Sequence, residues 1–395
     1  MKNESFFKQP IATLFIIGIL LLSGTGLYAQ QKIEVVKGGE VTIESKILKE
    51  ERTVSVHLPG IYNLTNQSFP VLYLLDGKGH FQHSKAAVNF LTIRNYMPQI
   101  IVVAIHNVDR NRDFSPVHEE QFPSSGGGEN FLDFIENELT PFINKNYRTS
   151  DFSLIMGHSF GGTIITYSLL TRPELFDGYI SISPYLFYAN NYIIDLADKK
   201  LQPSYNSKKF YYMTIGDEPA YFESLDKFSS LVQEKSATAI NLEYKMMKNE
   251  NHGTIPYISL FNGLRFMFSD WQLPNEVFNK GLAAIDGYYN NLSKKYGYET
   301  VTPEIVINQL GYTYLQNKEL NKAIEIFTEN TKRYPQSANV YDSLGEGFEK
   351  NNQLNKAKTN YKKACNLGKE QNHFNTPIYL KNLNRVKKKI NPDNS

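Results

Sequence analysis

The stretch FSLIMGHSFGGTII, residues 152–165, places one serine between glycines. An apolar run of strand length leads into Gly157, Ser159 and Gly161, and a second apolar run at helical spacing follows. This pattern is typical of a nucleophile elbow, a strand–turn–helix junction in which glycines relieve crowding around a strained serine. The pattern predicts that Ser159 is a nucleophile. An ordinary strand-to-helix turn is the alternative.

A serine hydroxyl needs a neighbouring base to attack a carbonyl at neutral pH. In one arrangement of serine hydrolases, an acid and then a histidine follow the serine along the chain. Only His252 and His373 come after Ser159, and His373 lies beyond a predicted repeat region. We therefore expect His252 to be the general base.

Three acidic residues follow the apolar run FYYMTI and are candidates to orient the imidazole of His252: Asp217, Glu218 and Glu223. We favour Asp217 and keep Glu218 as the alternative acid. The other role of Asp217 is helix capping, which the adjacent proline would suit.

Two backbone amides are candidate donors to an oxyanion, and each such donor is worth about 3 kcal/mol or more in the transition state. One is the N–H of Phe160, directly after the serine. The other comes from the turn after VLYLL, where Gly77 or Lys78 can present its amide.

The region from Lys32 to about Trp271 alternates strand and helix patterns. Two early segments, EVTIESKIL and RTVSVHLP, show the partial period-two patterning of antiparallel edge strands. Compact apolar runs typical of buried parallel strands follow: VLYLL, IIVVAI, FSLIM, GYISIS, FYYMTI and LEYKMM. The alternation predicts an α/β fold with a mostly parallel sheet covered on both faces. Ser159, Asp217 and His252 all follow strands, so we expect them at one crevice.

Five blocks resemble the esterase D-like putative-esterase family of α/β-hydrolases: PVLYLLDG, GGGENFLDFIENELTPFINKNYR, MGHSFGG, SISPYLF and ENHGTIPYISLFNGLRF. That family includes siderophore trilactone, feruloyl and acetyl-xylan esterases, S-formylglutathione hydrolase and mycolyltransferases. The resemblance covers about Val41 to Trp271. It implies an α/β-hydrolase fold with Ser159 as nucleophile, His252 as base, and the amides of Phe160 and Lys78 as oxyanion hole. Because the acid varies in spacing within such enzymes, the choice between Asp217 and Glu218 stays open.

The loop HNVDRNRDFSPVH also resembles a loop of that family, and its Arg110, Arg112 and Asp113 are candidates for substrate contact or for a loop-ordering salt bridge. Tyr185, Phe187 and Tyr188 are candidates for an acyl or aryl pocket, with core packing as the alternative.

Three further histidines are close to these motifs. His80 and His83 have the spacing of a metal pair, but they lack nearby cysteine or carboxylate partners, so we expect surface or pocket-wall positions. We expect His158 to pack beside the serine. No metal or other cofactor is expected.

The last third of the chain repeats itself with an offset of 34 residues. The matched pairs are Leu310/Leu344, Gly311/Gly345, Tyr314/Phe348, Leu320/Leu354, Ala323/Ala357 and Phe327/Tyr361. This period resembles tetratricopeptide repeats over residues 304–337 and 338–371. We thus expect an all-helical module over residues 275–390, after a hydrolase domain over residues 32–272. Its role is either to bind a protein or peptide partner or to stabilise the chain, and residues 276–297 are expected to add a packing surface or to join it to the hydrolase domain.

The N-terminus has the pattern of a cleavable signal peptide, residues 1–29, with a twelve-residue apolar run and small residues before Ala29. We expect a periplasmic or secreted protein with no membrane association after cleavage; an uncleaved anchor is the alternative. Cys365 is the only cysteine, so no intrachain disulfide can form. A net charge of +2 and the short basic run RVKKKI do not indicate a nucleic-acid partner.

The sequence therefore predicts an exported, cofactor-independent serine esterase that acts through an acyl-enzyme, with siderophore, feruloyl and acetyl esters as candidate substrates. Acyl transfer by the same fold is one alternative. The other is a partner-binding protein whose hydrolase domain is inert.

Overall fold

The computed structural model describes residues 37–391, and the predicted signal peptide lies outside these residues. Eight strands form one sheet in the order β1-β2-β4-β3-β5-β6-β7-β8. In chain order they are β1 (Gly39–Ser45), β2 (Glu50–His57), β3 (Phe69–Leu74), β4 (Ile101–Ile105), β5 (Thr149–His158), β6 (Gly178–Ile182), β7 (Lys209–Ile215) and β8 (Ile240–Met246).

The six strands β3 to β8 pair in parallel, as the compact apolar runs predicted. The first two strands are antiparallel, also as predicted. Of these two strands, only β1 lies at an edge of the sheet. β2 pairs with β1 on one side and with β4 on the other, so its prediction as an edge strand was wrong. Alternation of polar and apolar residues reports which faces are covered, and it does not report how many neighbours a strand has.

Between residues 77 and 296, the described chain also forms ten α-helices. They are α1 (Gly77–Ile93), α2 (Arg110–Phe114), α3 (Gly128–Phe134), α4 (Thr140–Asn146), α5 (Phe160–Thr171), α6 (Tyr188–Lys200), α7 (Pro219–Ser236), α8 (Ile255–Met267), α9 (Asn275–Phe278) and α10 (Leu282–Tyr296). A π-helical segment, Ile135–Leu139, joins α3 to α4, and short 3-10 turns cover Tyr62–Leu64 and Ser269–Trp271.

Alternate residues of the strands feed two separate cores, because successive side chains of a strand point to opposite faces. Val71 and Tyr73 of β3 belong to the core that includes residues of α3, α5 and α7. Leu72 and Leu74 belong to the other core, which includes residues of α1, α8 and α10. Since both faces are covered, the strands read as nearly continuous apolar runs.

Helix α10 joins the C-terminal helices to the sheet. Ile285, Tyr289, Leu292 and Tyr296 recur every three or four residues and are buried in the second core. The Tyr289 hydroxyl accepts a hydrogen bond from Nδ2 of Asn95 at 3.3 Å, and that tyrosine ring lies 5.4 Å from Trp271. Helix α10 thus packs against the core of the sheet, in the same cluster as Val306 and Leu310 of the helix that follows.

Five more helices follow: α11 (Glu304–Gln316), α12 (Leu320–Arg333), α13 (Ala338–Lys350), α14 (Leu354–Glu370) and α15 (Thr376–Ile390). Gly311 and Gly345, 34 residues apart, make equivalent contacts. A Cβ on Gly311 would lie 2.4 Å from the Phe327 ring, and one on Gly345 would lie 2.7 Å from the Tyr361 ring. The repeated sequence thus corresponds to repeated close packing, while its assignment as tetratricopeptide repeats stays a prediction.

Within residues 37–391, the chain forms no helix that is both long and apolar enough to cross a membrane.

Candidate active site

Ser159 occupies a strained turn between β5 and α5. Its φ is 59° and its ψ is −119°, a backbone conformation that L-residues rarely adopt and that is found mainly where function requires it. The turn is tight enough to exclude a side chain at Gly157, where a Cβ would lie 2.1 Å from the Gly161 carbonyl oxygen. Of the two interpretations of this stretch, the geometry is that of an elbow.

Two helices begin at this end of the sheet, and their first backbone amides lie there. α5 begins at Phe160 and α1 begins at Gly77, after the neighbouring strands β5 and β3. The first N–H groups of a helix have no acceptor within the helix, so the amides of Phe160 and Lys78 can serve an oxyanion. Glycine is required at position 77, since a Cβ there would lie 2.7 Å from the Ile105 carbonyl oxygen.

The imidazole of His252 is held by Glu218. Nδ1 of His252 contacts Oε1 of Glu218, whose other oxygen accepts hydrogen bonds from the Ser183 hydroxyl at 2.6 Å and the Gly216 amide at 3.2 Å. The Glu218 side chain is 10% exposed and the His252 side chain 42%. The carboxylate is thus fixed by several donors while the imidazole edge stays accessible.

Asp217, the acid that we favoured, is exposed, and its backbone N–H donates to the Glu250 carbonyl at 2.8 Å. Glu223 is also exposed and pairs with Lys227 at 2.7 Å. The geometry therefore favours Glu218, the alternative, as the partner of His252. The sequence analysis did not single out Ser183. It directly follows β6, and a position after a strand is the signal that identified the other candidate residues.

His252 also lies beside the elbow. Its ring centroid is 4.4 Å from that of His158, the residue before Ser159. The Tyr221 side chain lies beside that of Ser159, and the Tyr221 ring lies 5.9 Å from the His252 ring. The structure thus brings the predicted nucleophile and the predicted base into one crevice.

A row of histidines continues away from the elbow. The His158 and His80 rings are 6.0 Å apart, and the His80 and His83 rings are 5.2 Å apart. Burial, with the neighbouring His252 and His80 rings, lowers the pKa of His158 to about 3, and burial lowers the pKa of His80 to about 4. These rings are neutral at pH 7 and form a wall beside the serine, as expected for His158. Among the described residues, no group of three or more His, Cys, Asp or Glu could hold a metal ion.

The loop after β4 is ordered by ion pairs. Arg112 pairs with Glu50 at 2.6 Å and with Asp113 at 2.8 Å, and Asp113 also pairs with the fully buried Arg52 at 2.6 Å. The loop-ordering interpretation of Arg112 and Asp113 is confirmed. Arg110, a candidate for substrate contact, donates to both carboxylate oxygens of Asp76, at 2.7 and 3.0 Å, and its side chain is 32% exposed.

An aromatic wall borders the serine on the side of α7. The Tyr185 ring lies 5.3 Å from Phe160 and 4.3 Å from Phe187, and Phe187 lies 5.1 Å from Tyr221. Tyr185, Phe187 and Tyr221 are partly exposed, as pocket-lining residues must be. Tyr188 instead is fully buried and donates to the Val117 carbonyl at 2.8 Å, so core packing explains it. Tyr221 gave no signal in the sequence apart from its place in the first turn of α7.

The sheet topology, the strained serine and the adjacent histidine–carboxylate pair define an α/β-hydrolase. Residues 45–252, more than half of the chain, match the model of the Esterase family, described as Putative esterase. The chain belongs to this family.

Two curated siderophore esterases are similar to part of the chain. Ferri-bacillibactin esterase BesA of Bacillus subtilis is 30% identical in an alignment of 151 residues, and the match covers 33% of this chain and 52% of that protein. Siderophore triacetylfusarinine C esterase of Aspergillus fumigatus is 30% identical in an alignment of 131 residues, and the match covers 30% of this chain and 45% of that protein. The chain thus spans about half the length of these curated relatives.

A solved structure, that of an IroE-like serine hydrolase from Shewanella oneidensis, superposes with a TM-score of 0.67 at 25% identity. The match covers 75% of this chain and all of that one.

Proposed function

We propose that this chain is a serine carboxylic-ester hydrolase that acts through an acyl-enzyme. The observation that carries the proposal is the strained Ser159 at the N-terminus of α5, in one crevice with the Glu218-bound imidazole of His252. A strained serine, a base oriented by a carboxylate and free helix-terminal amides are the parts that acyl transfer requires.

In the proposed reaction, Ser159 Oγ attacks the ester carbonyl carbon while Nε2 of His252 accepts the hydroxyl proton. The amides of Phe160 and Lys78 stabilise the tetrahedral oxyanion. When the oxyanion collapses, the C–O bond to the alcohol breaks and the imidazolium returns its proton to the leaving oxygen. Water then attacks the acyl-enzyme, again with His252 as base, and releases the acid and free Ser159. Glu218 keeps the proton of His252 on Nδ1 throughout, which leaves Nε2 free to act.

We further propose siderophore esters as the substrate class. The similarity to two curated siderophore esterases supports this choice. The partly exposed rings of Tyr185, Phe187 and Tyr221 support a substrate with aromatic groups, which can pack edge-on against such a wall. Feruloyl and acetyl esters are the competing substrates, and an acceptor alcohol in place of water would make the enzyme an acyltransferase.

A panel of esters tests this proposal. The purified chain is given a catecholate trilactone with and without Fe³⁺, methyl ferulate, an acetylated xylan and p-nitrophenyl acetate, and kcat/KM is measured for each. We expect the trilactone to be the best substrate by at least tenfold, and water rather than an added alcohol to take the acyl group. A higher kcat/KM for the feruloyl or acetyl ester would overturn the siderophore assignment, and a folded chain inert on the whole panel would overturn ester hydrolysis.

We also propose that the protein is exported, which rests on the N-terminal pattern alone. Fractionation of the producing cells tests export: the mature chain should begin at Gln30 and lie outside the cytoplasm. A cytoplasmic chain that retains Met1 or its neighbours would contradict it.

A further inference from the structure

The Asp76–Arg110 ion pair lies between the two turns that carry the proposed oxyanion donors. Nε and Nη2 of Arg110 donate to the two carboxylate oxygens of Asp76, at 2.7 and 3.0 Å. Nη2 also donates to the carbonyl oxygen of His158 at 3.0 Å. Asn107 supports the same carboxylate, with Nδ2 2.5 Å from Oδ1 of Asp76. One guanidinium therefore contacts an acid from one turn and a backbone carbonyl from the other.

Each contact is close along the chain to a proposed donor. Asp76 is two residues before Lys78, and His158 is two residues before Phe160. Asp76 itself has a left-handed backbone, with a φ of 52°, which an aspartate adopts at some cost unless its surroundings hold it. The carboxylate also lies against the elbow, since a Cβ on Gly161 would be 3.5 Å from Oδ2 of Asp76.

The guanidinium of Arg110 is itself held in place. It lies 5.3 Å from the Phe114 ring centroid and 6.0 Å from that of Phe160. The helix that carries it, α2, is tied to β2 because Arg112 and Asp113 pair with Glu50 and Arg52 of that strand. A planar guanidinium that is held by Asp76, by the His158 carbonyl and by two aromatic rings can fix the distance between the two turns, whereas a flexible lysine cannot.

We propose that Asp76 and Arg110 are positioning residues that fix the spacing of the Lys78 and Phe160 amides, and so shape the oxyanion hole without touching the substrate. This inference rests on the proposed ester hydrolysis. It gives Arg110 a different role from the substrate contact that the sequence suggested, because two of its three guanidinium nitrogens are already committed to protein oxygens. Loss of the ion pair should weaken transition-state binding and leave ground-state binding nearly unchanged.

The test uses the full chain with Arg110→Met, Arg110→Lys, Asp76→Asn and the double variant Asp76→Asn/Arg110→Met. Steady-state kcat and KM for p-nitrophenyl acetate, and the second-order rate of inactivation by a fluorophosphonate, are measured per titrated active site. We expect kcat and the inactivation rate to fall about 10²-fold in Arg110→Met and in Asp76→Asn, the size of a lost oxyanion donor, with KM near the wild-type value. The double variant should be no slower than the slower single variant, because both substitutions break one device.

Arg172→Met is the matched control, since it removes an arginine that pairs with Glu129, Asp133 and Glu136 away from the elbow, and it should keep wild-type kinetics. Wild-type kcat in Arg110→Met, or a raised KM with kcat unchanged, would overturn the positioning role. So would additive losses in the double variant. If Arg110→Met does not fold, the isosteric Asp76→Asn and the charge-conserving Arg110→Lys decide the question by the same kinetics. A folded wild-type chain that neither reacts nor hydrolyses would overturn the proposed function itself, which is a distinct result.

Discussion

The Glu218 carboxylate bridges Ser183 and His252. One of its oxygens accepts from the Ser183 hydroxyl at 2.6 Å, and the other contacts Nδ1 of the imidazole. Asp217, one residue earlier, is exposed. Two adjacent acids are thus in opposite environments, and a single comparison can separate their roles.

Glu218→Gln should lower kcat by about 10²-fold or more, because an amide cannot stabilise the imidazolium that forms when Ser159 is deprotonated. Asp217→Asn should leave kcat within about twofold of the wild-type value, because the exposed Asp217 side chain is not the partner of His252 and substitutions on the surface usually have small effects. Turnover of p-nitrophenyl acetate checks both variants. Equal and mild losses would indicate that His252 works without a carboxylate partner, and the assignment of Glu218 would then fail.

The neutral state of His158 gives the fold a pH dependence. Its pKa is about 3 in the folded chain and near its ordinary 6.5 in the unfolded chain, so the unfolded state binds more protons between these values. The free energy of unfolding should therefore fall as pH drops from about 6.5 towards 4. His80, with a pKa of about 4, contributes with the same sign.

His158→Gln should flatten this slope, because glutamine does not titrate. Urea unfolding of both proteins at pH 8, 6.5, 5.5 and 4.5 measures it, with the pH 8 values as the internal reference. Identical slopes in the two proteins would show that His158 is not held neutral.

The close packing of the C-terminal helices predicts that alanine substitutions at Gly311 and Gly287 change the free energy of unfolding in opposite directions. Gly311→Ala would force a methyl group into the fully buried Phe327 ring and should cost about 1–3 kcal/mol of unfolding free energy. Gly287→Ala is the matched control on α10, where no heavy atom lies within 4 Å, and should stabilise the chain by about 0.5–1 kcal/mol.

Denaturant unfolding measures both glycine variants, and Phe327→Leu should recover part of the loss in Gly311→Ala by making room for the methyl group. A neutral Gly311→Ala would contradict the observed helix contact.

Much of the fold could be predicted from the sequence because its strands and its serine turn produce recognisable local sequence patterns. Buried parallel strands produce unbroken apolar runs, and the elbow needs glycines at fixed positions, so β3 to β8 and the Ser159 turn were predicted correctly. The position of β2 could not be, because its pairing on both sides depends on where β4 lies in the sheet.

The site was predictable only to the level of which loops meet. Asp217 and Glu218 follow the same strand and carry the same signal, and only the folded structure shows that Glu218 contacts His252 while Asp217 is exposed. The same limit applies to Asp76 and Arg110, which are 34 residues apart and share no pattern. Such contacts depend on the tertiary arrangement of loops, which residue spacing does not encode.

The account depends most on Ser159 being a nucleophile that His252 activates. Reaction of the folded chain with a fluorophosphonate, followed by intact-mass and peptide analysis, tests this directly. We predict one adduct per chain, located on Ser159, no adduct in Ser159→Ala, and labelling slowed by about 10²-fold or more in His252→Ala. A folded wild-type chain that stays unlabelled, or a Ser159→Ala variant that labels as fast as wild type, would contradict it.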